Sequence, residues 1–373
     1  GDTVARLGGD EFVMVLLGRE SSEITSRVMH RVTASLSQPY FIGGHELYIT
    51  CSIGLSFYAQ DEQGDADTLL KNADLAMYRA KSLGRNNIQL YASEMNVEMT
   101  SRVSLEAKLR QALQRQEFAL HYQPQVDLRT GNICGMEALI RWQHPELGVI
   151  FPAQFIPVAE STGLIVPIGE WVLRLACTQN QSLQDGGLRG IPVSVNMSAR
   201  QFKQMQMATL VAQILQETRL DPKYLELELT ESVAMDNAKE VFATLRELRC
   251  MGIRISLDDF GTGYSSLSYL KRFPIDALKI DQAFINDITL DPHNVAIAEA
   301  IITLGHSLGL RVIAEGVATP EQALLLRKLG CEQAQGYVYS QPMPFEKMKQ
   351  LLNENRPFRT AGIDTATSIK LVS

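Results

Sequence analysis

The sequence lacks the features that mark several common classes of protein. Its 373 residues contain no apolar run near the ~18 residues of a membrane span and no secretory signal at the N-terminus. The five cysteines are scattered and form no Cys-x-x-Cys pair, which disfavours a disulfide framework or a zinc site. The six histidines have no His-x-x-x-His spacing. We therefore predict a cytoplasmic domain with reduced thiols, in which any metal has oxygen ligands.

Positive charge is also scarce. With a net charge of -7, the chain offers no general attraction for a polyanion, so we expect no nucleic-acid polymer as a partner. A phosphate ligand would have to be held by a local site. The apolar content of 45% is enough for a substantial core, and the length suggests about two domains at ~100 to 200 residues each.

The N-terminal part has the pattern of a small α/β unit. Residues 12–17 and 47–57 predict strands, and the apolar spacing over 66–83 predicts a helix that stops at Gly84. Because the chain begins at Gly1 without a methionine, we expect it to be part of a longer protein. That parent protein could carry a membrane anchor or a sensor upstream.

Four regions are predicted along the chain. Residues 1–92 form the α/β unit, 93–112 a helical linker, 113–356 a second domain and 357–373 a flexible tail rich in Gly, Thr and Ser. The linker belongs to a helical pattern over 94–116, which is equally compatible with the first helix of the second domain.

The second domain alternates short apolar runs with helical segments. The runs are 118–126, 135–140, 191–195, 224–229, 253–257, 277–280, 311–314 and 333–339. This alternation predicts an α/β fold of the (β/α)8-barrel type. An open doubly wound sheet is the alternative, but its glycine-rich phosphate turn is absent. Residues 130–132 (TGN) are typical of a hairpin between the first two runs, so one strand should be antiparallel.

Polar residues stand at or near the C-terminal ends of these runs, which converge on one face of a barrel. They are Glu137, Asn196, Glu228, Asp258, Asp259, Lys279, Glu315 and Gln335. Five carboxylates beside one lysine cannot all stay ionised without compensation. Hard oxygen ligands favour Mg²⁺ or Mn²⁺, and two such ions are a known arrangement for phosphoester hydrolysis. Phosphodiester cleavage is the predicted chemistry.

Each residue also has a simpler interpretation. A lone acid after a strand is more often a helix cap, and Asp258-Asp259 could cap a turn. Lys279 alone would more often be solvated, and Asn196 could be an N-cap. The recurrence of such residues at one strand end after another favours the shared pocket.

The same residues lie in longer motifs. These are 136–142 (MEALIRW), 196–198 (NMS), 226–232 (ELELTES), 258–267 (DDFGTGYSSL), 278–281 (LKID), 314–317 (AEGV) and 335–337 (QGY). In this order they resemble the bacterial EAL family over about residues 100–355. The resemblance implies a barrel that hydrolyses cyclic di-GMP to linear pGpG.

The resemblance also implies residue roles. Two Mg²⁺ or Mn²⁺ ions would be held by Glu137, Asn196, Glu228 and Asp258 and by Asp258, Asp259 and Glu315, with the division between the ions left open. Lys279 would orient or activate the attacking water, and Gln335 would help to position the site, so that the catalytic set is Lys279, Glu315, Glu137 and Gln335.

Substrate contacts are implied for three further residues. Arg141 would grip a phosphate, and Gln123 and Leu139 would border the nucleotide. A loop over 259–266, anchored by Glu231, would couple metal binding to the contacts of an EAL homodimer, although its glycines could instead be ordinary turn residues.

One position departs from the family pattern. The Glu-Gly-Val motif usually ends in a second acid, whereas Ala318 follows it here. We expect this change to affect the rate more than the type of reaction.

The N-terminal region resembles the GGDEF diguanylate cyclase domain through residues 6–12 (RLGGDEF) and 73–86 (ADLAMYRAKSLGRN). The nucleotide-binding residues implied are Gly8, Gly9, Glu11, Lys81 and Arg85. The family's first strand precedes this motif, so this chain should not make cyclic di-GMP. An intact GGDEF domain could instead bind GTP and regulate the barrel.

Three functions therefore compete. The first is a cyclic di-GMP phosphodiesterase, and the second is a receptor that binds cyclic di-GMP without cutting it. The third is a bifunctional cyclase and phosphodiesterase. Receptors of this family typically lack metal ligands that this sequence retains, which favours the enzyme.

Overall fold

A computed structural model describes residues 2–16, 22–58, 65–202, 206–231, 233, 238–262 and 270–358. The chain divides into two compact units, Gly1–Ser104 and Leu105–Ser373. Among the helices within the described ranges, none is both long and apolar enough to cross a bilayer.

The described part of the first unit contains short strands and three helical segments. Its elements are β1 (Thr3–Gly8), β2 (Glu11–Val15), α1 (Ser22–Leu36), β3 (Tyr40–Ile42), β4 (His45–Leu47), β5 (Ile53–Leu55), α2 (Ala66–Ser82), β6 (Ile88–Leu90) and the start of α3 (Glu94–Gln114). Strands β1 and β2 form an antiparallel hairpin, β3 pairs with β4, and β5 pairs in parallel with β6.

Both ends of helix α2 are set by identifiable residues. The Asp65 side chain accepts a hydrogen bond from Thr68 N at 2.8 Å, which caps its start. Gly84 follows its end with φ of 99°, a conformation that favours glycine. The helix predicted over 66–83 is therefore confirmed. The single strand predicted over 47–57 is wrong: it divides into β4 and β5, and β5 packs so closely on α2 that a Cβ at Gly54 would lie 2.0 Å from Ala73 O.

The second unit begins within α3 and continues through the barrel. Its strands are β7 (Phe118–Asp127), β8 (Ile133–His144), β9 (Gly148–Ile150), β10 (Val193–Asn196), β11 (Leu225–Thr230), β12 (Arg254–Phe260), β13 (Ala277–Ile280), β14 (Arg311–Ala314), β15 (Gln333–Ala334) and β16 (Met343–Pro344). Its helices are α4 (Pro152–Thr162), α5 (Ile165–Asp185), α6 (Ala199–Phe202), α7 (Met207–Thr218), α8 (Ala238–Cys250), α9 (Gln282–Ile285), α10 (Pro292–Ser307), α11 (Pro320–Lys328) and α12 (Phe345–Glu354), with a 3₁₀ turn at Pro222–Tyr224.

Strands β7, β8 and β10 to β15 close into a barrel. The order is β7-β8-β10-β11-β12-β13-β14-β15, and β15 returns to β7. Strand β7 is antiparallel to both neighbours, whereas the other pairs around the ring are parallel. The predicted barrel with one antiparallel strand is confirmed.

The last predicted strand, 333–339, is wrong in its length. Strand β15 ends at Ala334. The chain then turns at Gly336, where a Cβ would lie 2.1 Å from Val317 O. This close approach of two backbone segments excludes any side chain and ends the strand.

Strand β11 shows how the barrel separates apolar from polar residues. Leu225, Leu227 and Leu229 are fully buried and belong to the apolar core. Because side chains alternate along a strand, Glu226 and Glu228 lie on the opposite face. Their partners are on strands that do not neighbour β11: Arg311 on β14 for Glu226 and Lys279 on β13 for Glu228. These contacts cross the barrel, so its interior is polar.

Burial of the cysteines leads to a testable prediction. Cys177 and Cys331 are buried and Cys250 is exposed, and burial raises the pKa of Cys177 and of Cys331 to about 12. A rise of this size lowers the thiolate fraction about 1000-fold, and the thiolate is the reactive form. We expect an aromatic disulfide reagent at pH 8 to label Cys250 at once, and Cys177 and Cys331 only after unfolding.

Peptide mass spectrometry would locate the label, with Cys250→Ser as the control that removes the rapid labelling at this position. Rapid labelling of Cys177 in the native protein would contradict the packing of α5.

Candidate active site

The predicted polar residues meet inside the barrel, at the carboxyl ends of its strands. Glu137 lies on β8, Asn196 on β10, Glu228 on β11 and Lys279 on β13. The others are Asp258 and Asp259 on β12, Glu315 directly after β14 and Gln335 directly after β15. Closure of the barrel therefore brings together residues that are far apart in the sequence.

Lys279 is the centre of this group. Its side chain is fully buried, and Nζ lies 2.5 Å from Glu228 Oε2 and 2.5 Å from Glu315 Oε1. Two more carboxylates approach it, Asp258 Oδ1 at 3.4 Å and Glu137 Oε2 at 3.7 Å. One ammonium group thus faces four carboxyl groups. The structure places these residues close together, as the strand ends in the sequence predict.

Amide side chains orient Glu137. Asn196 Nδ2 donates to Glu137 Oε1 at 2.5 Å, and Gln335 Nε2 donates to Glu137 Oε2 at 2.5 Å. Gln335 Nε2 also donates to Gln123 Oε1 at 2.9 Å, and Gln123 Nε2 donates to Ser340 O at 2.9 Å. Both oxygens of Glu137 therefore have fixed partners, which leaves this carboxylate little freedom to rotate.

Asp258, Asp259 and Glu315 could hold a metal ion. One carboxylate oxygen from each lies within 4.8 Å of the others. The backbone of Asp259 is left-handed, with φ of 54°, and its N–H donates to Asp258 Oδ1 at 3.0 Å. This uncommon conformation at the end of β12 presents two consecutive carboxylates to the same place, which ordinary strand alternation would not do.

Burial opposes ionisation of these acids. It raises the pKa of Glu315 to about 8, against the opposing effect of Lys279, and raises the pKa of Asp259 to about 6. Burial also raises the pKa of Glu228 well above its ordinary value. For Lys279, burial lowers the pKa, but the four surrounding carboxylates outweigh this effect and raise it overall. The site therefore has more acid than one lysine can neutralise.

The remaining polar atoms fit a hard divalent cation. Glu228 Oε1 and Gln335 Oε1 are buried without a hydrogen-bond partner among the described residues. The candidate ligands are carboxylate and amide oxygens, the type that Mg²⁺ and Mn²⁺ prefer. The group of residues is thus compatible with the metal chemistry predicted from the sequence.

The predicted loop anchor is in contact with its loop. Glu231 is 2% exposed, and its Oε2 accepts a hydrogen bond from Gly261 N at 3.1 Å. Residues 263–269 lie outside the described part of the chain, so the coupling predicted for 259–266 stays a prediction. Most of the predicted tail, 359–373, also lies outside it.

Arg141 and Leu139 lie on β8 beyond Glu137, on the same face of the strand. Arg141 is 8% exposed, and its guanidinium carbon lies 5.6 Å from the centre of the Phe151 ring. Sequence reasoning missed Phe151, which lies just after the short strand β9. A second hairpin predicted from the sequence could have indicated Phe151, because the antiparallel pairing of β9 with β8 brings the residue after β9 next to Arg141.

The backbone around Ala318, the position that departs from the family pattern, is held by the side chain of Gln322. Ala318 N donates to Gln322 Oε1 at 2.7 Å, and Thr319 N donates to the same atom at 3.0 Å. Gln322 is 3% exposed, and its Nε2 donates to Ile285 O and Asn286 O. The segment after Glu315 is therefore fixed through Gln322.

The residues predicted to bind a nucleotide in the first unit lie in two places. Gly8, Gly9 and Glu11 form the β1–β2 turn, where Arg6 Nε donates to Gly9 O at 3.0 Å. Lys81 is in the last turn of α2, and Arg85 follows the helix. Their nucleotide contacts stay predictions.

Comparisons with known proteins agree with the fold and the motifs. A family model described as the EAL domain matches residues 106–342, and one described as the diguanylate cyclase GGDEF domain matches residues 1–87. The family resemblance predicted from the motifs is confirmed.

Similar proteins were found in Pseudomonas aeruginosa. The bifunctional diguanylate cyclase/cyclic di-GMP phosphodiesterase MucR is 46% identical over 347 residues, which cover 93% of this chain and 50% of MucR. The cyclic di-GMP phosphodiesterase NbdA is 40% identical, over 95% of this chain and 45% of NbdA. This chain thus spans about half the length of these curated relatives.

A solved structure of the PaMucR phosphodiesterase as a c-di-GMP complex also matches. It is 48% identical, with a TM-score of 0.64, and the match covers 66% of this chain and 99% of that one.

The burial of Lys279 among acids leads to a prediction for stability. Replacing Lys279 by Met would leave the four facing carboxylates without their cation. Removing one partner of a buried ion pair costs about 3–5 kcal/mol. We expect the free energy of unfolding to fall by this amount in EDTA, with a fall in Tm of roughly 10 °C. Added Mn²⁺ should stabilise the variant more than the wild type.

Thermal unfolding in EDTA and in Mn²⁺ would measure both effects, with Lys347→Met as the exposed control. Equal stability of the Lys279 variant and the wild type in EDTA would show that Lys279 does not neutralise these acids.

Proposed function

The chain belongs to the EAL domain family, and on this premise we propose that its barrel is a metal-dependent phosphodiesterase that hydrolyses cyclic di-GMP to linear pGpG. The observation that carries the proposal is the enclosure of Lys279 by four carboxylates beside the potential metal ligands Asp258, Asp259 and Glu315. The activities named for MucR and NbdA support it.

Two Mg²⁺ or Mn²⁺ ions are proposed as cofactors. Asp258, Asp259 and Glu315 would hold one, and Glu137, Asn196 and Glu228 would hold the other, with Asp258 shared between them. Bound there, the ions would neutralise the acids, polarise the phosphate and acidify the attacking water.

Lys279 is proposed to act on the attacking water. Its ammonium has three N–H donors, and its contacts with Glu228 and Glu315 hold it at the floor of the site. From there it can orient the water and stabilise negative charge that develops on the phosphate oxygens. The water forms the new P–O bond, and the ester P–O bond breaks. One proton of the water is transferred to the freed ribose oxygen, which becomes a hydroxyl, and the other stays on the phosphate or is released to solvent.

Gln123 and Gln335 are proposed to hold Glu137 in position through the hydrogen-bonded chain described above. Such a chain limits reorganisation of the site during the reaction. Arg141 is proposed to bind a substrate phosphate through charge-assisted hydrogen bonds, and Leu139 to border the nucleotide. Burial lowers the pKa of Arg141, and the nearby Tyr337 and Glu137 side chains oppose this effect.

The wider assignments rest on family membership. We propose that the barrel forms a homodimer in which the Glu231-anchored loop takes part. The GGDEF unit is proposed to regulate the barrel, to bind GTP when intact, and to act as a cyclase in a longer parent protein. The cytoplasm is the proposed location, because bacterial nucleotide messengers act there.

The central prediction concerns product formation. Purified protein incubated with cyclic di-GMP and Mg²⁺ or Mn²⁺ should release pGpG, and EDTA should abolish it. Glu137→Ala removes a carboxylate that faces Lys279 and accepts two amide hydrogen bonds. We expect it to lower kcat/KM at least about 100-fold, because changes even to residues behind metal ligands cost about 10- to 100-fold.

Chromatography of the products would measure this, and Glu346→Ala, at an exposed position of α12, is the control. Intact ligand that stays tightly bound to the wild-type protein would contradict hydrolysis and make the barrel a receptor.

A second prediction separates binding from chemistry. Arg141→Ala removes a proposed phosphate contact and leaves in place the four carboxylates that face Lys279. We expect KM to rise about 10-fold or more, since a charge-assisted hydrogen bond contributes about 1.5–3 kcal/mol, while kcat changes little. Steady-state kinetics would show the split, with Arg129→Ala on the exposed β7–β8 turn as the control. A fall in kcat with unchanged KM would instead assign Arg141 to the chemical step.

A further inference from the structure

An exposed aromatic ring lies against Arg141, on the strand that also carries Glu137. Phe151 is 57% exposed, although phenylalanine is usually buried. Its neighbour along α4, Phe155, is fully buried in the barrel core, so Phe151 does not belong to that core. Packing in the barrel core therefore does not explain why a phenylalanine stands at position 151.

The position of the ring is set by the β8–β9 hairpin. Trp142 pairs with Ile150 in antiparallel register, so Arg141 and Phe151 face each other at the next position. The Arg141 guanidinium carbon lies 5.6 Å from the centre of the Phe151 ring, within the range of a cation–π contact. Arg141 thus supports the ring from the side of the site.

The backbone of Phe151 is also fixed. It is the residue before α4, with extended backbone angles, and its N–H donates to Gln154 Oε1 at 3.3 Å. Pro152 begins the helix at the next position. A ring held in this way needs little ordering when it binds a ligand, so a contact with it contributes more to affinity.

The distance along β8 from the carboxylates to Arg141, which contacts Phe151, is about the length of a nucleotide. One face of β8 carries Glu137, Leu139 and Arg141 at alternate positions. The four residues of strand from Glu137 to Arg141 span about 13 Å. A substrate with its phosphate at the carboxylates must extend along this row to reach Phe151. A flat aromatic base attached to a sugar phosphate can do so, and an exposed phenylalanine offers it a stacking surface.

We propose that Phe151, supported by Arg141, forms a base-stacking shelf that binds one purine of the dinucleotide substrate. This inference deepens the proposed function and rests on it. The shelf determines how tightly the substrate binds, whereas the carboxylates and Lys279 determine how fast it is cut.

The test compares substitutions that separate aromatic stacking from simple apolar contact. Stacking on an aromatic side chain contributes about 1–3 kcal/mol per base, which corresponds to about 5- to 150-fold in affinity. Phe151→Ala should raise KM for cyclic di-GMP within this range and leave kcat within about twofold. Phe151→Tyr should restore wild-type KM, and Phe151→Leu should not.

Leu147→Ala is the matched control. Leu147 is also 57% exposed, and it lies in the turn of the same hairpin. Its substitution should leave KM unchanged. Wild-type KM in Phe151→Ala would overturn the shelf, and so would a Leu variant as good as the Tyr variant, since stacking needs a ring.

Equilibrium binding separates failure of the shelf from failure of the proposed function. The dissociation constant of cyclic di-GMP can be measured by calorimetry in a Glu137→Ala background, where turnover should be slowed at least about 100-fold. Phe151→Ala should weaken binding there by the same factor. A wild-type protein that neither binds nor cuts cyclic di-GMP would overturn both inferences, whereas normal hydrolysis with unchanged binding in Phe151→Ala would overturn the shelf alone.

Discussion

The active site depends on the buried contact between Lys279 and the four carboxyl groups around it. Taking an ammonium out of water costs several kcal/mol, and its side chain is fully buried here. The attraction of Glu228 and Glu315, each at 2.5 Å, offsets this cost, and in return the lysine reduces the repulsion between the acids. Neither the lysine nor the carboxylates would be stable in this interior alone.

Barrel closure is what makes this arrangement possible. Alternation along each strand places leucines against the surrounding helices and sends every second side chain inward, as in β11. The inward residues then meet partners across the interior, such as Arg311 Nη2 and Glu226 Oε2 at 2.9 Å. The fold thereby holds a polar interior within an apolar layer. The chain of hydrogen bonds from Ser340 through Gln123 and Gln335 extends this order to Glu137.

Much of this could be predicted from the sequence because the pattern is regular. Strands β13 and β14 have the bounds that their apolar runs predict, and the hairpin residues at 130–132 correctly indicated the antiparallel strand. The partners of Lys279 could not be predicted individually, since they depend on how the barrel closes. Strand β15 was overestimated because the approach of Gly336 to Val317 is a tertiary contact. Phe151 was missed because its exposure depends on the hairpin that carries it.

The backbone at Ala318 is held by hydrogen bonds that do not involve its side chain. Glu315 must stay near Lys279, and its position depends on the backbone that follows it. That backbone is held by Gln322, whose oxygen accepts from Ala318 N and Thr319 N and whose nitrogen donates to Ile285 O and Asn286 O. None of these bonds uses the side chain at 318. The backbone that follows Glu315 is therefore held through Gln322, without a contact from the side chain at position 318.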